Sequence, residues 1–197
     1  VWASLISNLS SVKVLISEEK YLNIYRSYMR DMLNVIAMEV GWKPKRNEKH
    51  TTSMLRSLVL SSLGNSEDKE TIKKAFKLFE AMKKGKSLSP DLKGVVYGLV
   101  ARNGGVKEYE WFVRRHEKEP LQEEKNRLLF ALAGFKDKKL IKKALEYSMS
   151  EKVRPQDTYG MFIHAWGNRF GRDIAWKFTK SHWEELLKRY GKGGHML

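Results

Sequence analysis

Apolar residues recur along almost the whole chain at the three- and four-residue spacing of a helix, and no stretch alternates in the manner of a strand. Ile72, Ala75, Phe76, Phe79 and Met82 show the pattern plainly, with lysines filling the positions between them. A chain written this way buries its apolar faces helix against helix, so an all-α fold is expected.

Start and stop signals cut the pattern into about ten short helices. The first is expected from Trp2 to about Ile16. Ser17 can cap a second from Glu18 to near Val40, before Gly41. After the turn from Gly41 to His50, a third helix is expected from about Thr52 to Leu63. It should end at a left-handed Gly64, with Ser66 capping the fourth. Ser89-Pro90-Asp91 is a strong start signal, because Pro90 suits the first helical position. That helix should stop at Asn103-Gly104-Gly105 and be followed by one from Val106 to Lys118. Pro120 interrupts before a helix from Leu121 to Gly134, and Asp137 caps the next, through Tyr147. Val153-Arg-Pro-Gln-Asp157 then opens a polar-capped helix, which a tight Gly167-Asn168 turn separates from a long tryptophan-rich one.

Helix pairs thus recur every ~35–45 residues, the length signature of HEAT or armadillo repeats. With no credible linker, residues 1–197 read as a single helical-repeat domain of stacked antiparallel hairpins forming an α-superhelix.

Composition sets the remaining bounds. The longest apolar runs, such as Leu58-Val59-Leu60, fall far short of the roughly 20 residues that span a bilayer, so no membrane partner is expected. Val1-Trp-Ala-Ser-Leu-Ile6 has neither an initiator methionine nor a basic start, which suggests a piece of a longer protein. The absence of cysteine excludes disulfides and thiolate zinc sites and suits the cytoplasm. A net charge of +15 brings nucleic acid or an acidic protein partner into consideration. However, Lys73, Lys74, Lys77, Lys83, Lys84 and Lys86 share their segment with Glu67, Asp68, Glu70 and Glu80, which favours a solvated face.

Catalytic chemistry is missing from the pattern. His50, His116, His164, His182 and His195 include no two at the spacing of a His-Glu-x-x-His helix, and His116-Glu117 reads as a surface pair. There is no cysteine nucleophile, no Gly-x-Ser-x-Gly elbow and no phosphate-cradling loop, and Gly191-Lys-Gly-Gly194 reads as a frayed end. Glu184 and Glu185 point about 100° apart on a helix and cannot converge on one bond. Neither a catalytic residue nor a metal ligand is therefore expected in this chain. Trp176 and Trp183, seven residues apart, are expected to pack in the core, while Trp166 beside the turn is the better candidate to face solvent.

Several stretches, in order, carry a more specific message: Val1 to Asn8, Gly41-Trp-Lys-Pro44 with His50 and Leu55-Arg56, Leu88 to Lys93, Gln122 to Arg127, Val153 to Asp157, Gly171 to Phe178, and His182 to Leu186. Together they resemble the C-terminal helical domain of M1-family zinc aminopeptidases, in the branch of puromycin-sensitive aminopeptidase and tricorn-interacting factor.

The resemblance implies a HEAT-like bowl over a separate thermolysin-like catalytic domain, enclosing a chamber around the far end of a peptide. The parent enzyme would remove N-terminal residues from peptides. Its zinc, catalytic glutamate and substrate-amine motif would lie in domains outside this chain, leaving no cofactor here. The implied partners are the catalytic domain of the same polypeptide and peptide substrates. Arg56, His50, Trp166, Asn168 and Arg172 become candidates for the chamber or the interdomain surface, with Arg172 suited to a peptide carboxylate. Arg154, Gln156, Asp157, Trp176 and Trp183 are structural candidates: Gln156 or Asp157 could take up free helix amides, and Arg154 could pair with a neighbouring hairpin. A basic helical-repeat module for nucleic acid or an acidic protein stays as the alternative and ranks below.

Overall fold

The computed structural model describes residues 1–190. Eleven α-helices and no strand occur among them, so the chain is of the all-α helical-repeat class expected, with one helix more than the sequence pattern suggested. No helix among the described residues is long and apolar enough to cross a membrane. The fold consists of two compact units, Val1–Val100 and Ala101–Leu197, whose division falls inside the fifth helix.

The first unit holds α1 (Trp2–Leu15), α2 (Leu22–Val40), α3 (His50–Asn65), α4 (Lys69–Lys83) and most of α5 (Pro90–Asn103). Helix α3 is its centre, packed by α1, α2 and α4. Val59 and Leu63 of α3 join Ile6, Met29, Leu33, Ile36 and Val40 in one buried cluster. Leu60, one residue on from Val59, joins Ala75, Leu92, Val95 and Leu99 in another. Because successive helical side chains fan around the axis, one helix can feed two cores.

Three terminus signals resolve differently from expectation. Ser17 lies in the turn before α2, its hydroxyl 3.5 Å from Glu18 Oε1, and caps nothing. Gly64 does not end α3 in a left-handed conformation but stays helical under the Leu99 side chain; the left-handed residue is Glu67, at φ 63°. Ser66 sits just past the end of α3, and α4 is capped by Asp68, whose carboxylate accepts from Thr71 N at 2.8 Å. The short acid reaches the free amides of the first turn from the residue adjoining the helix, where Ser66 is too far upstream.

The second unit continues with α6 (Val106–Lys118), α7 (Gln122–Leu132), α8 (Lys138–Ser148), α9 (Pro155–Gly167), α10 (Arg172–Ser181) and α11 (Trp183–Tyr190). Asp137 caps α8 as its position suggested, accepting from Lys139 N at 2.7 Å. Helices α6 and α7 pack as a pair, α7 and α8 both meet α9, and α8 and α9 both meet α10. Phe135, fully buried beyond α7, holds Tyr109 and Phe112 edge-on, at centroid distances of 5.6 and 6.3 Å. The long final helix is divided at His182, the residue between α10 and α11, whose ring stacks on Phe178 at 3.9 Å. Gly191 to Gly194 and His195 lie outside the described residues.

Candidate functional site

The end of α2 and the start of α3 are tied by a buried arginine. Gly41 leaves α2 at φ 59°, and the loop that follows brings Glu48 back toward α3. Arg56, fully buried, grips Glu48 with both terminal nitrogens, Nη1 to Oε1 at 2.6 Å and Nη2 to Oε2 at 2.5 Å. Its Nε donates to the carbonyls of Val40 and Gly41, each at 3.1 Å. A planar fork suits this task, since it satisfies a carboxylate and the last carbonyls of a helix at once. The hydrogen bond from Arg56 holds the Glu48 carboxyl down at about 2. Arg56 therefore presents no charge to solvent. His50, the first residue of α3, is exposed.

A second constellation surrounds the turn between α9 and α10. Asn168 is buried, and its amide donates to the carbonyls of Ala133 and Phe135 at 2.8 and 2.7 Å. Its side-chain oxygen accepts from Phe170 N at 3.1 Å, and its own carbonyl receives Gly171 N and Arg172 N at 2.8 and 3.0 Å. One side chain thus fastens the α7 end to the α9–α10 turn, with both of its amide donors used inside the protein. Gly171 is required beside it: a Cβ there would stand 2.7 Å from Ala165 O. Trp166 remains 38% exposed, and Arg172 projects from the first turn of α10 as an exposed side chain.

At the start of α9, Arg154 turns onto its own helix. Its Nε lies 2.7 Å from Asp157 Oδ2 and its Nη2 3.2 Å from Oδ1, so it pairs within the helix and not with a neighbouring hairpin. Asp157, occupied by that guanidinium, accepts from Gln122 Nε2 at 3.2 Å and is the residue that reaches α7. It takes up no backbone amide, and Gln156 is exposed.

The core placement expected for Trp176 and Trp183 is corrected. Trp176 is 57% exposed beneath Lys180 Nζ, 5.3 Å from the ring centroid, and Trp183 is 46% exposed on the next helix. The break at His182 removes the common face that the seven-residue spacing would have given them. His116 is corrected in the opposite sense. It is buried, with Nδ1 2.8 Å from the Tyr147 hydroxyl, and burial lowers its pKa. Only its neighbour Glu117 belongs to the surface, where it pairs with Lys152.

The sequence reading missed cations that close helix ends. Arg30 donates to Ser66 O at 2.7 Å and Lys13 to Asn65 O at 3.2 Å, both at the end of α3. Arg189 spans Met149 O and Val153 O at 2.6 and 2.9 Å, beyond the end of α8. The last carbonyls of a helix carry partial negative charge and lack intrahelical donors, so a basic side chain from another helix serves them well. Part of the positive surplus is structural. Among the described residues, no three His, Cys, Asp or Glu side chains converge to hold a metal ion.

Comparison with known proteins connects this scaffold to one family. A family model described as the ERAP1-like C-terminal domain matches residues 1–197. Aminopeptidase M1 of Arabidopsis thaliana is 32% identical over 164 residues, covering 80% of the chain and 18% of the relative. Puromycin-sensitive aminopeptidase of Caenorhabditis elegans is 28% identical, covering 100% of the chain and 21% of the relative. Alanine/arginine aminopeptidase of Saccharomyces cerevisiae is 29% identical, covering 100% and 24%. The chain spans about a fifth of the length of these relatives.

Proposed function

The chain belongs to the ERAP1-like C-terminal domain family, and on that premise we propose that it is the non-catalytic cap of an M1 zinc aminopeptidase. In this reading it packs on the catalytic domain of the same polypeptide and encloses the far end of a peptide whose amino-terminal residue is removed there. The observation that carries the proposal is the family match over residues 1–197 together with relatives named as aminopeptidases, of whose length the chain covers only about a fifth. In this reading the zinc belongs to the catalytic domain, outside these 197 residues. The cysteine-free composition suits a cytoplasmic enzyme.

The α9–α10 turn is the part of the second unit we assign to the peptide. Asn168 fixes the turn from within, while Trp166 and Arg172 remain outward beside it. An exposed guanidinium attracts a carboxylate, so Arg172 would draw the peptide's C-terminus and leave its amine for the zinc. Arg56 contributes by holding α2 and α3 together.

The test is Arg172→Ala in the full-length polypeptide, reading kcat/KM for a peptide with a free C-terminal carboxylate against its amidated counterpart. A several-fold fall in that ratio with unchanged thermal stability is expected. An unchanged ratio in a normally folded variant removes Arg172 from the peptide's path.

A further inference from the structure

Helix α2 is apolar on two opposite faces. Leu22, Met29, Leu33, Ile36 and Val40 are buried in the first unit. On the other side Ile24, Tyr28, Val35 and Met38 are 74%, 54%, 62% and 79% exposed. With Asp31 between Tyr28 and Val35, the exposed positions follow a four-three-four-three rhythm, which is the seam of a helix that packs against another helix. Single exposed apolar residues are ordinary on a protein surface, but a helix apolar on both sides is one that is covered on both sides.

The polar residues of the seam are equally selective. The remaining exposed residues of α2 are Asn23, Asn34 and Glu39, so Asp31 and Glu39 supply all its exposed charge. Arg26 and Arg30, which could have offset them, are turned toward Glu67 and the Ser66 carbonyl. In a chain of net charge +15 this face is negative.

We propose that the outer face of α2 seats a second helix from the part of the full-length polypeptide outside these 197 residues. That helix would have apolar side chains at heptad spacing and a Lys or Arg opposite Asp31. The inference rests on reading the chain as part of a larger aminopeptidase. A second copy of this chain is the poorer occupant. Asp31 stands at the middle of the seam, so two α2 helices would bring two Asp31 carboxylates together in either orientation, a like-charge contact in a dry interface. The relatives extend far beyond the matched region, so polypeptide to cover the face is at hand within the same chain.

Hydroxyl-radical labelling of the full-length polypeptide reads the seam directly, because methionine oxidation follows solvent access. Met38 is expected to oxidise about tenfold more slowly in the folded protein than in guanidinium, close to the buried Met29. Asp31→Lys should speed oxidation at Met38 several-fold and leave Met29 slow; Asp31→Asn replaces it if the lysine variant does not fold. Fast oxidation of Met38 in the unaltered protein overturns the proposal. So does protection that disappears on dilution as a dimer dissociates, which would identify a second copy as the occupant. Peptide selectivity that fails to respond to Arg172→Ala while Met38 stays protected counts against the peptide-facing turn alone and supports the docked helix.

Discussion

Gly64 and Leu99 share one volume: a Cβ built on Gly64 would stand 2.2 Å from Leu99 Cδ2 and 2.6 Å from Cδ1. The glycine lets α3 and α5 approach where a left-handed helix end had been expected. Gly64→Ala should destabilise the protein by about 1–3 kcal/mol, the usual cost of overpacking a filled core. Urea unfolding of the single variants and of the double variant with Leu99→Ala reads the coupling. The double variant should lose less than the sum of the two, because shortening Leu99 releases the space that alanine needs.

The Arg56–Glu48 pair carries a pH signature. The Glu48 carboxyl is held down from an ordinary 4.5 to about 2, chiefly by its hydrogen bond with Arg56. A depressed folded pKa gives stability that is fully present above the unfolded value and is lost as pH falls through the folded one. Unfolding midpoints should therefore drop between about pH 4.5 and pH 2, and Glu48→Gln should flatten this part of the profile while lowering stability at pH 7. Arg56→Lys should not restore the arginine's role, because an ammonium cannot make the paired contact and also serve Val40 and Gly41.

Asn168→Ala should cost about 1–3 kcal/mol for each of the carbonyls of Ala133 and Phe135 left without a donor. Asn168→Asp is the sharper control: nearly the same shape, but with its donor replaced by an acceptor facing those carbonyls. It should be at least as destabilising at pH 7, which chemical denaturation checks.

Trp176 and Phe178 should behave as opposites although two residues apart. Trp176→Ala, at a half-exposed ring, should change stability by under ~1 kcal/mol, as surface substitutions generally do. Phe178→Ala, beneath His182 and against Phe162, should cost about 3–5 kcal/mol. Thermal unfolding of the two variants side by side decides whether the tryptophan belongs to the surface.

What the sequence made legible is local. The spacing through Ile72, Phe76 and Phe79 identifies a helix because its period is written in neighbouring residues, and Asp137 caps α8 because its amides lie two and three residues on. The family motifs, too, are contiguous stretches. The contacts that the sequence did not announce depend on distant partners. Gly64 answers to Leu99, Asn168 to carbonyls about 35 residues earlier, and Arg30 to a helix end 36 residues later. No periodicity announces such contacts. The tryptophan pair failed for a related reason: a break at His182 turns two positions of one apparent helix into positions on two.

The enclosing role is tested most directly by photocrosslinking in the full-length polypeptide, using a peptide with a benzophenone at its C-terminal end and mapping the adducts by mass spectrometry. Adducts should fall on these 197 residues, clustered around Trp166 and Arg172. Adducts found only on the rest of the polypeptide, in an enzyme that still cleaves the peptide, would contradict the cap.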